Sequence, residues 1–323
     1  MAPQVPSAQA HEIRRIAHIS EESREAASRE VCTGLEVEPV EVCGLSFRIL
    51  RRRSDFFAAV AGDLPVSSTG LVLWECAILL AEYLGYAGWT GGYEDRNWWQ
   101  LHPPAAVVPA RFWRRQRAVL ELGGGAGLVC AALTSLGAQV VYTDGDPAAL
   151  RTAELNLANA WAQRRKRGKE GWGSCTFRRL SFGDEEAARK IVEELGPFGH
   201  VVGSDLLYGD RAPPEPLLDT LAALARAQDA LGEPFLVTIA IKNRCCDEVE
   251  VFAGAARQRG LWAVSRAEPA ALPESFQVQA DEFYGRQAKP GYCVVHLRPA
   301  EPDPSRSAKR ARVSEAVASP APA

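Results

Sequence analysis

Three consecutive glycines, Gly123–Gly125, are the first residues of this chain whose type and position suggest chemistry. Glycine lacks a Cβ atom, so the backbone can turn sharply there and a ligand can approach the main chain. Asp144 follows roughly 20 residues later, the spacing at which nucleotide-binding βαβ units carry a carboxylate that accepts hydrogen bonds from ribose hydroxyls. With Glu121 before the glycines and Asp144 after them, the segment predicts a site for a ribose-containing ligand.

The exact glycine pattern narrows the class of site. Gly123, Gly125 and Gly127 form G-x-G-x-G, whereas the dinucleotide fingerprint G-x-G-x-x-G would need glycine at Leu128. No Lys-Ser or Lys-Thr pair follows, so the pattern is not that of a phosphate-binding loop. A glycine turn alone can equally be a tight strand-to-helix connection without a ligand, and the two flanking carboxylates favour the binding site.

The glycines lie between elements that would position them. Residues 118–122 are a short apolar run typical of a buried strand, and an apolar helical face over 128–136 follows. Gly137 ends that helix, and residues 139–143 form a second apolar run with Asp144 at its carboxyl end. Strand, glycine turn, helix and strand together predict one βαβ unit.

The remaining pattern predicts an α/β domain around this unit. Alternating residues over 35–42 and 45–51 predict a β-hairpin, and residues 67–84 predict a helix whose cap is among Ser67, Ser68 and Thr69. A basic run over 164–169 is interpreted as a solvated loop. Further helices are predicted over 147–160, 185–195, 213–231 and 247–259, and further strands over 176–180, 201–204, 235–241, 261–267 and 291–297.

Asp205 and Tyr208 follow directly after the predicted strand over 201–204. Open α/β sheets bind ligands at the carboxyl ends of their parallel strands, so both residues are expected on the same rim as Gly123 and Asp144. The alternative interpretation is structural, with the aspartate capping the following turn and the tyrosine packed beneath it.

Tryptophans outside this unit allow two interpretations each. Trp74, at helical spacing with apolar residues, is either a core aromatic or part of a cofactor pocket, where an indole attracts a cationic sulfur. Residues 86–117 are an irregular insertion rich in tryptophan and arginine. That insertion either recognises a partner surface or covers the edge of the sheet.

Composition excludes several classes of protein. A net charge of −3 argues against broad binding to nucleic acid or to acidic membranes, and the longest apolar stretch, 71–84, is too short to span a bilayer. Eight scattered cysteines without a CxxC pair are typical of a reducing cytosol or nucleus, and neither they nor the five histidines have the spacing of metal ligands. We expect a monomer without a metal, located in the cytoplasm.

The expected organisation is a flexible segment over 1–34, one catalytic domain over 35–298 and a disordered tail over 299–323. The tail is rich in proline, serine and alanine, which cannot form a packed core. Its basic residues Lys309, Arg310 and Arg312 could act as a nuclear-import signal.

Five ordered motifs together resemble the family-16 seven-β-strand methyltransferases. They are Trp74 at the start of a helix, VLELGGGAG, YTDGDP, LSFGD and GSDLLYGD. The best-known members of that family, the methyltransferase-like 21 group, modify lysine side chains of proteins. The resemblance implies a doubly wound, Rossmann-like sheet of seven strands with an antiparallel last hairpin, preceded here by the N-terminal β-hairpin.

The same resemblance implies S-adenosylmethionine as cofactor and assigns its contacts. Its amino-acid end would lie against Gly123, Gly124 and Gly125 near Glu121, its ribose on Asp144, and its adenine beside Phe182 and Gly183; Trp74 and Ser204 would complete the pocket. The family usually carries tryptophan where this chain has Phe182. Asp205 and Tyr208 match the D-x-x-Y motif that faces the substrate, as catalytic residues.

The resemblance further implies a protein substrate, with a chaperone or a translation factor as the client. Three alternatives stay open: a methyltransferase for histidine or for a small molecule, a degenerate fold that serves as a protein-binding module, and an NAD-dependent oxidoreductase. The G-x-G-x-G spacing and the late hairpin argue against the last of these.

Overall fold

A computed structural model describes residues 35–52, 72–86, 116–166, 172–207, 212–232, 235–243, 247–267, 272, 276 and 291–299. The predicted flexible segment 1–34, most of the insertion 86–117, Tyr208 and the tail beyond Pro299 lie outside the described residues.

An N-terminal hairpin opens the described chain. Strands β1 (Leu35–Val42) and β2 (Leu45–Arg52) pair antiparallel, from Leu35 opposite Arg52 to Val42 opposite Leu45. The two turn residues, Cys43 and Gly44, both have positive φ angles, 53° and 65°, as a two-residue type I′ hairpin turn requires. The predicted hairpin is therefore confirmed.

A seven-stranded sheet forms the centre of the fold. Its strands are β3 (Ala118–Leu122), β4 (Gln139–Asp144), β5 (Ser174–Arg179), β6 (Phe198–Ser204), β7 (Leu236–Lys242), β8 (Trp262–Arg266) and β9 (Tyr292–Pro299). Their spatial order is β5-β4-β3-β6-β7-β9-β8. The first five strands of that order pair in parallel, whereas β9 runs antiparallel to both β7 and β8. The predicted antiparallel last hairpin is confirmed.

Helices cover both faces of this sheet, so the fold is doubly wound as predicted. They are α1 (Glu75–Tyr86), α2 (Leu128–Ser135), α3 (Pro147–Lys166), α4 (Glu185–Leu195), α5 (Pro214–Asp229) and α6 (Glu248–Gln258). One apolar core joins the hairpin, α1, α2 and α3 to the sheet, and a second core joins α4, α5 and α6 to the opposite face.

Two predicted helix boundaries were wrong. Helix α1 begins at Glu75 rather than near Ser67, because residues 72–74 are not helical and Trp74 only contributes its carbonyl to the first turn, 2.9 Å from the Ala77 amide. Helix α3 continues through the basic run to Lys166 instead of ending at residue 160. Packing extends it, since the Arg164 guanidinium lies 5.0 Å from the centre of the Trp172 ring.

Strand β9 ends at Pro299, which is the first residue of the predicted tail over 299–323. No helix among the described residues is long and apolar enough to cross a membrane. Within the same ranges, no group of three or more potential ligand side chains could hold a metal ion.

A buried chain of hydrogen bonds crosses the sheet. His200 Nε2 lies 2.8 Å from Thr238 Oγ1, which lies 3.0 Å from His296 Nδ1, and His296 Nε2 lies 3.0 Å from the Tyr83 hydroxyl. Burial lowers the pKa of His200 to about 3 and that of His296 to about 4. Both histidines are therefore neutral in the folded protein at neutral pH.

We predict that His296 destabilises the protein in mild acid. Unfolded His296 binds a proton near pH 6.5 but the folded residue only near pH 4, so lowering the pH favours unfolding. Between pH 7 and pH 5, the wild type should lose about 2 kcal/mol of unfolding free energy relative to His296→Gln.

Urea unfolding of both proteins at several pH values measures this difference. Buried carboxyls with raised pKa values, such as Glu121, change the stability with pH in the opposite direction. Both proteins contain these carboxyls, so the difference between the proteins isolates the effect of His296. A difference between the two proteins that does not change with pH would contradict the prediction.

Candidate active site

A cavity of about 280 Å³ opens where β3, β4 and β6 end. Strand β3 lies between β4 and β6. The chain therefore runs from β3 through β4 and β5 to one edge of the sheet and then returns to β6 on the other side of β3. Such a reversal leaves a crevice at the carboxyl ends, where open α/β sheets bind ligands. The cavity brings together eight of the predicted site residues: Trp74, Gly123, Gly124, Gly125, Asp144, Phe182, Ser204 and Asp205.

The glycine turn is tied to the end of the neighbouring strand β4. The Gly124 amide donates to the Thr143 carbonyl at 3.0 Å, and the Gly125 amide donates to Asp144 Oδ2 at 3.0 Å. The Tyr142 hydroxyl donates to the Gly125 carbonyl at 2.6 Å. Three successive residues of β4 therefore hold the turn in place.

Steric space explains why the turn is built of glycines. Gly123 and Gly125 have φ angles of 57° and 54°, in the left-handed region that disfavours side chains. Gly124 is restricted to glycine by close packing: a Cβ atom there would lie 2.3 Å from the Tyr142 ring and 2.9 Å from the Glu121 carboxyl carbon.

Asp144 ends β4 with its carboxylate at the cavity. Only 9% of the residue is exposed, and burial raises its pKa, while hydrogen bonds from the Asp146 and Gly125 amides oppose this rise. Oδ1 accepts from the Asp146 amide at 2.9 Å. Because each carboxylate oxygen has two lone pairs, Asp144 keeps capacity to accept bonds from a pair of ligand hydroxyls.

Glu121 lies beneath the turn rather than on the cavity wall. The residue is 1% exposed, and burial raises its pKa well above the usual range, with the nearby Asp144 charge adding to the rise. Among the described residues, nothing donates a hydrogen bond to Glu121 Oε2. A direct contact between Glu121 and a cofactor therefore stays a prediction.

Phe182 forms the wall next to the end of β5. A Cβ atom at Gly123 would lie 3.3 Å from the Phe182 ring, so the bare backbone of the turn faces that ring. Gly183 follows at a φ of 89° and donates its amide to Thr220 Oγ1 at 2.9 Å. Gly183 is exposed and is not among the described residues that line the cavity, so its cofactor contact also stays a prediction.

Asp205 lies at the end of β6 in a backbone conformation that is uncommon for residues other than glycine. Its φ is 53°, and its amide donates to the Ala240 carbonyl of β7 at 2.8 Å. The residue is buried, with 7% exposure, and lines the cavity with Ser204. Strained backbone of this kind is concentrated at functional sites. Tyr208 lies outside the described residues.

Sequence reasoning missed a polar cluster next to Trp74. The Glu75 carboxylate accepts from Lys242 Nζ at 2.7 Å and from the Tyr292 hydroxyl, and Lys242 Nζ lies 5.3 Å from the centre of the Tyr292 ring. Burial raises the pKa of Tyr292, and the hydrogen bond to Glu75 adds to this rise. No local signal links these residues, because they lie on α1, β7 and β9.

The fold and this site define a class: an α/β protein with a nucleoside-type cofactor site at the reversal point of a Rossmann-like sheet. The model of a family described as lysine methyltransferase matches residues 62–257, more than half of the 323-residue chain. The chain belongs to this lysine methyltransferase family.

One curated protein matches this chain at low sequence identity. Protein N-lysine methyltransferase METTL21A of Xenopus tropicalis is 27% identical over 160 residues, which are 50% of this chain and 57% of that protein. The chain thus spans little more than half the length of the curated relative it matches.

Two solved structures resemble this chain more weakly, each with a TM-score below 0.5. Magnesium protoporphyrin IX methyltransferase from Synechocystis, solved with bound SAM, is 13% identical with a TM-score of 0.34, over 59% of this chain and 74% of that chain. The rRNA methyltransferase aviRa from Streptomyces viridochromogenes is 18% identical with a TM-score of 0.36, over 61% and 87%.

We predict opposite effects for two glycine-to-alanine substitutions. Gly124→Ala should lower the unfolding free energy by about 1–3 kcal/mol, because its Cβ atom collides with Tyr142 beneath the turn. Gly254→Ala, within α6, should raise it by about 0.5–1 kcal/mol, because no atom of the described residues beyond the helix's own backbone and the chain neighbours lies within 4 Å of the new Cβ, and alanine favours a helix. Urea denaturation measures both, and equal effects would contradict the packing of the turn.

Proposed function

We propose that this protein transfers a methyl group from S-adenosylmethionine to the ε-amine of a lysine in a protein substrate. The observation that carries the proposal is the convergence of the glycine turn, Asp144, Trp74 and Phe182 on one cavity, in a chain of the lysine methyltransferase family. Asp205 lies at the same cavity and supplies a carboxylate on the acceptor side.

The cavity suits this cofactor in shape and chemistry. A Cβ atom at Gly123 would lie 2.7 Å from Leu206 and 3.3 Å from Phe182, so only glycine leaves space between the turn and these two cavity residues. The Asp144 carboxylate suits the two hydroxyls of a ribose, Phe182 offers an aromatic face for adenine, and the Trp74 indole can attract a sulfonium.

S-adenosylmethionine, when bound, supplies a methyl group on a sulfonium sulfur, and its transfer to an amine is a single displacement without a covalent enzyme intermediate. The protein therefore acts mainly by aligning the reacting groups. A lysine amine, with an unperturbed pKa of about 10.4, must also lose its proton, which a poorly hydrated environment favours.

Within this mechanism, Asp205 orients the acceptor. Its carboxylate oxygens can accept hydrogen bonds from the amine, and the bond from its amide to the Ala240 carbonyl holds the backbone that carries this carboxylate. Tyr208, three residues further on, is assigned to closing the acceptor pocket as the second residue of the D-x-x-Y motif.

Asp144 provides the test of cofactor binding. We predict that isothermal titration calorimetry detects binding of S-adenosylmethionine to the wild type and at least tenfold weaker binding to Asp144→Ala, which lacks the ribose acceptor. Asp219→Ala is the matched control, because Asp219 lies on α5 and pairs with Arg259 away from the cavity. Undiminished binding by Asp144→Ala would exclude this assignment.

Asp205→Asn separates transfer from cofactor binding. Asparagine tolerates the positive φ of this position, so the backbone should be kept while the carboxylate charge is lost. We predict an unchanged cofactor Kd and a loss of transfer of about 100-fold, the scale of a misaligned reactant. Mass spectrometry of host lysate proteins incubated with labelled cofactor reads the transfer, and normal methylation would remove Asp205 from the catalytic residues.

A further inference from the structure

We propose that the N-terminal hairpin, residues 35–52, braces the cofactor cavity, and that Asn156 is the positioning residue through which it holds the glycine turn. This inference rests on the proposed function, since it concerns the affinity for S-adenosylmethionine. The hairpin forms its own two-stranded sheet and contributes no residue to the cavity lining. Its contacts with Asn156, which bonds the lining residue Ala126, and with α1, which contributes Ala77 to the lining, carry the proposal.

Asn156 joins the hairpin to the turn inside the protein. The residue lies on α3 and is 1% exposed. Its Oδ1 accepts from the Leu50 amide at 2.7 Å, and its Nδ2 donates both to the Leu50 carbonyl at 2.9 Å and to the Ala126 carbonyl at 2.8 Å. One buried amide therefore satisfies both backbone groups of a residue in β2 and one carbonyl directly after the glycine turn.

The bond to Ala126 completes a series along the turn. The Gly124 carbonyl accepts from the Gly127 amide at 2.9 Å, the Gly125 carbonyl from the Tyr142 hydroxyl, and the Ala126 carbonyl from Asn156. Three successive carbonyls are thus bound to donors of the protein. Of these donors, only Asn156 is itself bound to the hairpin.

The other end of the hairpin contacts α1, which contributes Ala77 to the cavity lining. The amide of Cys43, in the hairpin turn, donates to Glu82 Oε1 at 2.8 Å, and its thiol donates to the Ala81 carbonyl at 3.3 Å. Both acceptors belong to α1, and the residue that precedes α1 is Trp74 in the cavity wall. The fit is close, since a Cβ atom at Gly85 would lie 2.0 Å from the Cys43 sulfur.

The hairpin thus connects the glycine turn to α1, the helix that directly follows Trp74. A glycine-rich turn has more conformational freedom than any other sequence, and a ligand that must order it loses affinity. Held by the hairpin, the turn is already ordered before the cofactor arrives. Releasing the brace should therefore weaken cofactor binding although no residue of the hairpin lines the cavity.

Two buried amides of the same kind allow a matched test. Gln228 is also 1% exposed and pairs with both backbone groups of Phe198, but Phe198 begins β6, at the end of the strand opposite to Ser204. We predict that Asn156→Ala raises the Kd for S-adenosylmethionine at least tenfold, whereas Gln228→Ala lowers the melting temperature without changing Kd. Calorimetry below the onset of unfolding measures Kd, and thermal unfolding measures the stability of each variant.

Glu82→Ala tests the other contact of the brace. Glu82 is only partly buried, and its removal frees the Cys43 amide from α1. We expect a severalfold rise in Kd, and this variant decides the question if Asn156→Ala does not fold.

The outcomes separate the two proposals. A wild type that does not bind S-adenosylmethionine overturns the proposed function. If the wild type binds, Kd values within twofold of the wild type in Asn156→Ala and Glu82→Ala overturn the brace. An equal rise in Kd in Gln228→Ala also overturns it, because the effect would then follow from general loss of stability.

Discussion

The hydrogen bonds between the backbone of the glycine turn and the end of β4 are the contacts on which the site depends. The Gly124 and Gly125 amides bond to Thr143 and Asp144, so the turn and the candidate ribose acceptor have a fixed relative position. Because β3 and β4 pair in parallel beneath them, these bonds also orient the helix α2 that follows the turn. The cavity is therefore a consequence of how two neighbouring strands end.

The electrostatics of this region follow from burial. Glu121 and Asp144 are both buried near the turn, and desolvation raises the pKa of each. For Asp144, hydrogen bonds from the Gly125 and Asp146 amides lower the pKa and offset part of this rise. For Glu121, desolvation outweighs the hydrogen bond from the Cys130 amide, which lowers the pKa, and the Asp144 charge raises the pKa further. Two carboxyl groups in one βαβ unit thus have different environments.

Much of the fold could be predicted from sequence periodicity, because strands and amphipathic helices are encoded by neighbouring residues. The hairpin turn at Cys43-Gly44 and helix α4, Glu185–Leu195, agree with their predicted bounds. The errors lie at the start of α1 and at the end of α3, where the Arg164 guanidinium packs against the Trp172 ring. Propensity alone does not include such contacts.

The sequence by itself determined the βαβ unit, the glycine turn and the acidic residue that follows it, because turn chemistry and spacing are local properties of the chain. Only the tertiary structure decided which residues meet across the fold. Leu50 and Asn156 are 106 positions apart, and Glu75 and Tyr292 are 217 apart. Their contacts arise from the packing of helices and strands on the sheet. The separation of two such residues along the chain does not indicate whether they are in contact.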